Sequence, residues 1–257
     1  MALEHDYCPH NLRPLPAVMR EGKGVWLWDV TGKKYIDFLG SFGAVNHGHC
    51  HPKIREALIK QLEKITVLAG GCHHETLGPS MKYITETLGF DKGILQNGGV
   101  EAGETAVLFA RKWAYEVKGV PDKKATVLFP TDNYWGKSVS ARGISDEYSR
   151  YHHFGPFEGL GYELVKYNDI AALEEKFQSN PNIAAYYLEP IQGYGGINVP
   201  SKGYLKQVRE LCDKYRVLMI CDEIQTGMGR TGKILCSYHD GIKPDMVVMG
   251  KSISGGQ

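Results

Sequence analysis

The feature that most constrains this chain is a pair of almost wholly apolar strands, each running into a charged residue. Val217-Leu218-Met219-Ile220-Cys221 leads to Asp222, and Met246-Val247-Val248-Met249 leads to Gly250-Lys251. A strand that is apolar at every position has both faces buried, so it belongs inside a sheet covered on both sides. Similar runs occur at 125–129 and at 183–188, the second ending at Glu189-Pro190. They alternate with stretches of helical periodicity at 100–117, 170–177 and 204–215. This alternation predicts an α/β fold with a mostly parallel sheet between helices. Gly93-Ile94-Leu95-Gln96 reads as one more short strand, leading into a helix opened by Asn97-Gly98-Gly99.

The N-terminal part has a different texture. Residues 1–45 read as an arm plus a small β-unit, with a hairpin formed by strands at 24–29 and 34–39 around the turn Val30-Thr31-Gly32-Lys33. The remainder, 46–257, reads as the main domain. It opens with a helix from Pro52 to about Thr66, whose Ile54, Leu58, Leu62 and Ile65 share one face, and a second helix over 77–88. The chain stops at Ser254-Gly255-Gly256-Gln257, shortly after an apolar strand and within what reads as a site loop. The expectation is a large domain truncated before its end.

Composition excludes several function classes. The chain has 257 residues, is 42% hydrophobic and carries a formal net charge of +1. A core of useful size is available, and there is no basic excess of the kind nucleic-acid binders show. No apolar run approaches the roughly 20 residues of a membrane helix. The six cysteines lie apart with no CxxC spacing, and the first residues lack a signal-peptide pattern. Both readings lead us to expect reduced thiols and a cytoplasmic setting.

In open α/β sheets, ligands bind beyond the carboxyl ends of the strands. Here those ends carry Gly98-Gly99, Glu189, Asp222 and Lys251. Taken singly, Asp222 also fits a cap or ion pair, Lys251 a solvated loop lysine, and Gly98-Gly99 an ordinary helix-opening turn. Taken together they match the needs of pyridoxal phosphate. A lysine amine attaches its aldehyde, a buried acid keeps its pyridine nitrogen protonated, and a glycine turn at a helix N-terminus holds its phosphate.

Other motifs carry less. Gly227-Met228-Gly229-Arg230-Thr231-Gly232-Lys233 matches a dinucleotide fingerprint only in letters, because it has no following βαβ unit. Ile234 stands where a P-loop needs a hydroxyl. His49-Cys50-His51 has no further ligand at finger spacing and reads as a turn before Pro52, so no metal site is expected. There is no G-x-S-x-G elbow.

The segment Cys221-Asp222-Glu223-Ile224-Gln225-Thr226-Gly227, followed by Gly229-Arg230-Thr231-Gly232, Pro244-Asp245 and Gly250-Lys251, resembles the signature of the class III pyridoxal-phosphate-dependent aminotransferases. Asn46 with Gly48-His49-Cys50-His51-Pro52, the run Gly99-Val100-Glu101-Ala102-Gly103-Glu104-Thr105-Ala106, Phe154-Gly155-Pro156-Phe157 and Glu189-Pro190-Ile191-Gln192-Gly193 are similar to the ornithine aminotransferases within that family. The resemblance covers essentially the whole chain. It implies the fold type I large domain, truncated before the C-terminal small domain, and a homodimer acting on amino-acid and 2-oxo-acid substrates.

The resemblance also implies residue roles. Lys251 would attach the cofactor and shuttle a proton, and Asp222 would pair with the pyridinium. Gln225 would meet the ring hydroxyl. Gly98, Gly99 and Val100 would bind the phosphate, with Gly98 in place of a usual threonine, and Tyr134 would stack on the ring. The substrate positions depart further. Leu12 and Phe42 replace tyrosines, Lys137 replaces a carboxylate-binding arginine, and Tyr194 replaces a glutamate; Glu189 is kept. Lysine retains the charge of arginine but not its bidentate fork. Readings left open are another ω-amine donor, such as 4-aminobutyrate or N-acetylornithine, and a non-catalytic aminotransferase-like protein.

Overall fold

The computed structural model describes residues 1–11 and 13–256. Leu12, one of the substrate positions named above, lies outside the described residues. The chain divides into two compact units, Met1–His74 with Ser254–Gln257, and Glu75–Ile253.

The first unit is built on a three-stranded antiparallel sheet of β1 (Met19–Lys23), β2 (Trp26–Asp29) and β3 (Lys34–Ile36). The expected hairpin is β2–β3, paired Trp26 to Ile36 and Trp28 to Lys34. Its turn is closed by Asp29. One carboxylate oxygen accepts from Thr31 N, Thr31 Oγ1 and Lys33 N, and the other from the Tyr35 hydroxyl at 2.8 Å. These bonds, the Thr31 hydroxyl foremost, hold the Asp29 carboxyl down at about 2. The second strand is shorter than expected and stops at Ile36. Asp37 turns the chain by accepting from Leu39 N and Gly40 N. Gly40, Ser41, Phe42 and Gly43 then all take positive φ. The Pro52–Leu62 helix is also shorter than predicted and ends before the β-branched run Ile65-Thr66-Val67. His49 bonds Asp37 at 2.6 Å, which gives it a structural partner in this turn.

The second unit carries a five-stranded sheet. Its strands are β4 (Thr126–Pro130), β5 (Tyr162–Val165), β6 (Ile183–Leu188), β7 (Leu218–Asp222) and β8 (Met246–Val248), in the order β5-β4-β6-β7-β8. Every pair is parallel. Alternate residues of each strand enter opposite layers. Phe129, Ala185, Tyr187, Ile220 and Val248 pack with Ala106, Val107 and Ala110 of the Gly99–Trp113 helix. Leu128, Tyr186, Leu188, Met219 and Cys221 pack with Leu173 of the Ile170–Ser179 helix and with Leu205, Val208 and Cys212 of the Tyr204–Tyr215 helix.

Two expectations need correction here. Residues 93–96 form no strand; Ile94 and Leu95 are 59% and 62% exposed, and among the described residues no strand pairs with them. An isolated segment has no ladder to hold it extended. Conversely, β5 was not anticipated. It is an edge strand, and Glu163 interrupts its apolar run.

Leu173 is fully buried between helix and sheet. Leu173→Ala is expected to lower the unfolding free energy by about 2–5 kcal/mol, read from urea denaturation. A loss below about 0.5 kcal/mol would contradict the packing described.

Candidate active site

Because β4 and β6–β8 are parallel, their carboxyl ends open on one edge, where five segments converge. These are the turn after β4 with Tyr134 and Lys137, the turn after β6 with Glu189 and Tyr194, the turn after β7 with Gln225, Lys251 after β8, and the start of the Gly99–Trp113 helix.

Ile224 and four glycines hold these segments together. A Cβ on Gly99 would stand 2.8 Å from Ile224 Cδ1, and one on Gly250 would stand 3.2 Å from Ile224 Cγ1. Ile224 thus packs against both the helix start and the residue before Lys251. Val100 packs in the same way on Gly136, beside Tyr134. The Gln225 amide lies across Gly193, where any side chain would collide with it. Glu223, beside Asp222, fixes the rest of the loop. Its carboxylate accepts from Thr226 Oγ1, Cys236 N at 2.9 Å and Ser237 N at 2.8 Å, and its own N–H donates to Val248 O.

The ionisable centre is Asp222, Glu189 and Lys251. Asp222 is 4% exposed. One oxygen accepts from the Tyr187 hydroxyl at 2.7 Å and the other from Ile224 N at 3.0 Å. Burial pushes its carboxyl up to about 6, against the lowering effect of these two bonds and of Lys251. Glu189 accepts from Tyr134 N at 3.0 Å and Gly193 N at 3.2 Å, joining two of the turns. Burial and the nearby Asp222 charge push it up to about 8. Burial pulls the Lys251 ammonium down, while Asp222 and Glu189 pull it up. Lys251 takes φ 49, a left-handed conformation that costs a non-glycine residue of order 1 kcal/mol.

Buried carboxylates raised in this way are short of positive charge. A pyridinium N–H at Asp222 would supply it. The helix start suits a phosphate: Gly98 is the N-cap and offers no side-chain cap to the first-turn N–H groups. The donor set therefore fits pyridoxal phosphate.

The outer wall is aromatic. Tyr134 and Tyr194 stack with ring centroids 4.8 Å apart, and the Arg150 guanidinium lies 3.9 Å from the Tyr194 ring. Tyr194 is 64% exposed, and Lys137 is exposed on the Tyr134 turn. Phe42 belongs to the first unit, where it is exposed on the left-handed turn. Sequence reading missed Arg150, Ile224 and Tyr187. For Tyr187 the deciding fact is the strand register, which the sequence alone does not report. Leu188 pairs with Cys221, so Tyr187 faces the same layer as Ile220 and Asp222.

The Aminotransferase class-III family profile matches residues 7–257. The chain belongs to this family. It is 48% identical over 255 residues to the mitochondrial ornithine aminotransferase of Drosophila melanogaster, covering 99% of this chain and 59% of that protein. It is 47% identical to the rat enzyme of the same name, covering 98% of this chain and 57% of that protein. Among solved structures, the ornithine aminotransferase from Toxoplasma gondii superposes with a TM-score of 0.97 at 45% identity, covering 99% of this chain and 59% of that one. An acetylornithine aminotransferase from Elizabethkingia anophelis superposes at 0.87 with 44% identity, covering 100% of this chain and 60% of that one. The chain thus spans a little under three-fifths of the length of its curated fly and rat relatives.

The ionisable centre yields a pH prediction. An ordinary glutamate titrates near 4.5, and Glu189 is raised to about 8. Between those values the folded chain holds a proton that the unfolded chain has released. Its stabilisation is complete below the window and is lost as pH rises through it. In the cofactor-free chain, Glu189→Gln is expected to flatten the fall in melting temperature across this window. Identical slopes for parent and variant would contradict the assignment.

Proposed function

We propose that the chain is the cofactor-binding part of a pyridoxal-phosphate-dependent aminotransferase of ornithine type. L-Ornithine would give its δ-amine and leave glutamate 5-semialdehyde; 2-oxoglutarate would take the amine and become glutamate. The observation that carries this reading is Ile224, which ties the Gly99 helix start, Asp222 and the Lys251 turn into one site. The names of the fly, rat and Toxoplasma relatives support ornithine as donor.

When bound, the cofactor supplies an aldehyde for the amine and a ring that accepts the electron pair left on the substrate carbon. The chain's residues do the rest. Gly98, Gly99 and Val100 receive the phosphate at the helix start. Asp222, as carboxylate, holds the proton on the ring nitrogen. Gln225 meets the ring hydroxyl, and Tyr134 covers one ring face. Lys251 attaches the cofactor and moves the proton at the substrate's δ-carbon; its burial favours the neutral amine that this role needs. Glu189 holds the Tyr134 and Gly193 turns in register. Leu12, Phe42, Lys137 and Tyr194 are assigned to the substrate side on the resemblance alone, and 46–257 is assigned as the cofactor domain on its strand–helix organisation together with the resemblance.

A second donor is favoured by one observation. The Tyr194 ring is stacked on Tyr134 and covered by Arg150, at a position where the resemblance implies a glutamate on the substrate side. A donor without the free α-ammonium of ornithine, such as N-acetylornithine or 4-aminobutyrate, would suit that side. The homodimer is inferred from the family. A reducing compartment, cytosol or mitochondrion, accords with the free cysteines and with the relatives named mitochondrial. No helix of the described residues is long and apolar enough to cross a membrane.

The chain purified with pyridoxal phosphate should show a visible absorption band that borohydride fixes covalently to Lys251. Lys251→Ala should abolish it. Ornithine should then bleach the parent's band more readily than N-acetylornithine or 4-aminobutyrate. Absence of the band would favour a non-catalytic protein, and bleaching by another donor would move the substrate assignment.

A further inference from the structure

We propose that Tyr187 is a positioning residue for Asp222, whose hydroxyl donates to the carboxylate from the buried side and keeps the cofactor's proton on the ring nitrogen. The inference rests on the cofactor reading above and extends it to a residue in mid-strand.

The geometry is specific. Tyr187 lies on β6 at 2% exposure, one strand away from Asp222, and its hydroxyl reaches Asp222 Oδ2 at 2.7 Å. Its ring is locked in an aromatic cluster, with centroids 5.2 Å from Phe129 and 5.5 Å from Trp135. Gly103 of the overlying helix leaves the space: a Cβ there would stand 2.9 Å from the Tyr187 hydroxyl and 3.0 Å from the Trp135 ring. The hydroxyl is therefore held in place before any ligand arrives.

The chemistry follows from the carboxylate's four acceptor positions. Tyr187 takes one on Oδ2 and Ile224 N takes one on Oδ1, leaving acceptor capacity for a third donor. A donor on a carboxylate lowers its proton affinity. Asp222 shared with a pyridinium N–H then acts as the acceptor, and the proton remains on nitrogen. Without the phenol, the proton shifts towards the carboxylate and the ring becomes a weaker electron sink. The other charged groups around Asp222 are Lys251 after β8, Glu189 at the end of β6 and the adjacent Glu223; the Tyr187 hydroxyl bonds it directly.

Tyr187→Phe keeps the ring packing and deletes only the hydroxyl. Cofactor affinity of the purified chain, titrated by absorbance across pH, tests the role. The acid limb of binding, where Asp222 takes up a proton, should move up by about half to one pH unit, roughly three- to tenfold weaker binding on that limb. Affinity on the alkaline side should change little. Tyr186→Phe removes a hydroxyl bonded to Tyr204 on the opposite layer and should leave the limb in place. A carboxyl NMR titration of Asp222 in the cofactor-free chain should show the same upward move in Tyr187→Phe. An unmoved limb, or a loss uniform across pH, would overturn the role while leaving the cofactor reading intact. No binding in the parent chain would overturn both.

Discussion

A carboxylate buried at the end of the most apolar strand is the constraint around which this protein is arranged. The strand that delivers Asp222 is covered on both faces, so its last residue cannot turn to water. Two hydrogen bonds offset part of the cost of burying it. The remainder appears as a carboxyl raised to about 6 and a second, Glu189, raised to about 8. An arrangement that holds negative charge out of water with too little positive charge beside it is prepared for a cationic ligand group.

The rest of the site is a matter of close approach. Ile224 reaches both the helix start and the lysine turn only because Gly99 and Gly250 lack side chains. Gln225 and Gly193 repeat the device, as do Val100 and Gly136. Glu223 contributes no ligand contact in this scheme, yet its carboxylate fastens the loop that carries Gln225 to the backbone at Cys236 and Ser237. The acid, the lysine and the helix start are therefore positioned by close packing of the part-buried Ile224, Gln225 and Val100 and the buried Glu223.

Much of this was legible in the sequence, for identifiable reasons. The inner strands β4, β6 and β7 announced themselves because burial on both faces leaves an unbroken apolar run, and the residues that follow β6, β7 and β8 lie at one edge of the sheet. Strand β5 escaped because an edge strand need not be apolar throughout. Residues 93–96 misled because their apolar letters suited a strand, while strand formation depends on a partner that periodicity does not report. The turn closed by Asp37 cut the hairpin short at Ile36, and Ser41 and Phe42 gave no local warning of the left-handed stretch at Gly40–Gly43 that follows. At the site, charged strand ends were readable. Tyr187 was hidden because a tyrosine in an apolar run reads as core, and its function depends on the register between β6 and β7.

The contacts on Asp222 converge on its proposed role, holding a proton on the ring nitrogen of pyridoxal phosphate. Nitrogen-15 NMR of the chain loaded with cofactor labelled at that nitrogen observes the proton directly. A protonated ring nitrogen is expected at neutral pH, lost when Asp222 is replaced by alanine. An unprotonated nitrogen in the parent chain, or one whose signal ignores that replacement, would contradict it.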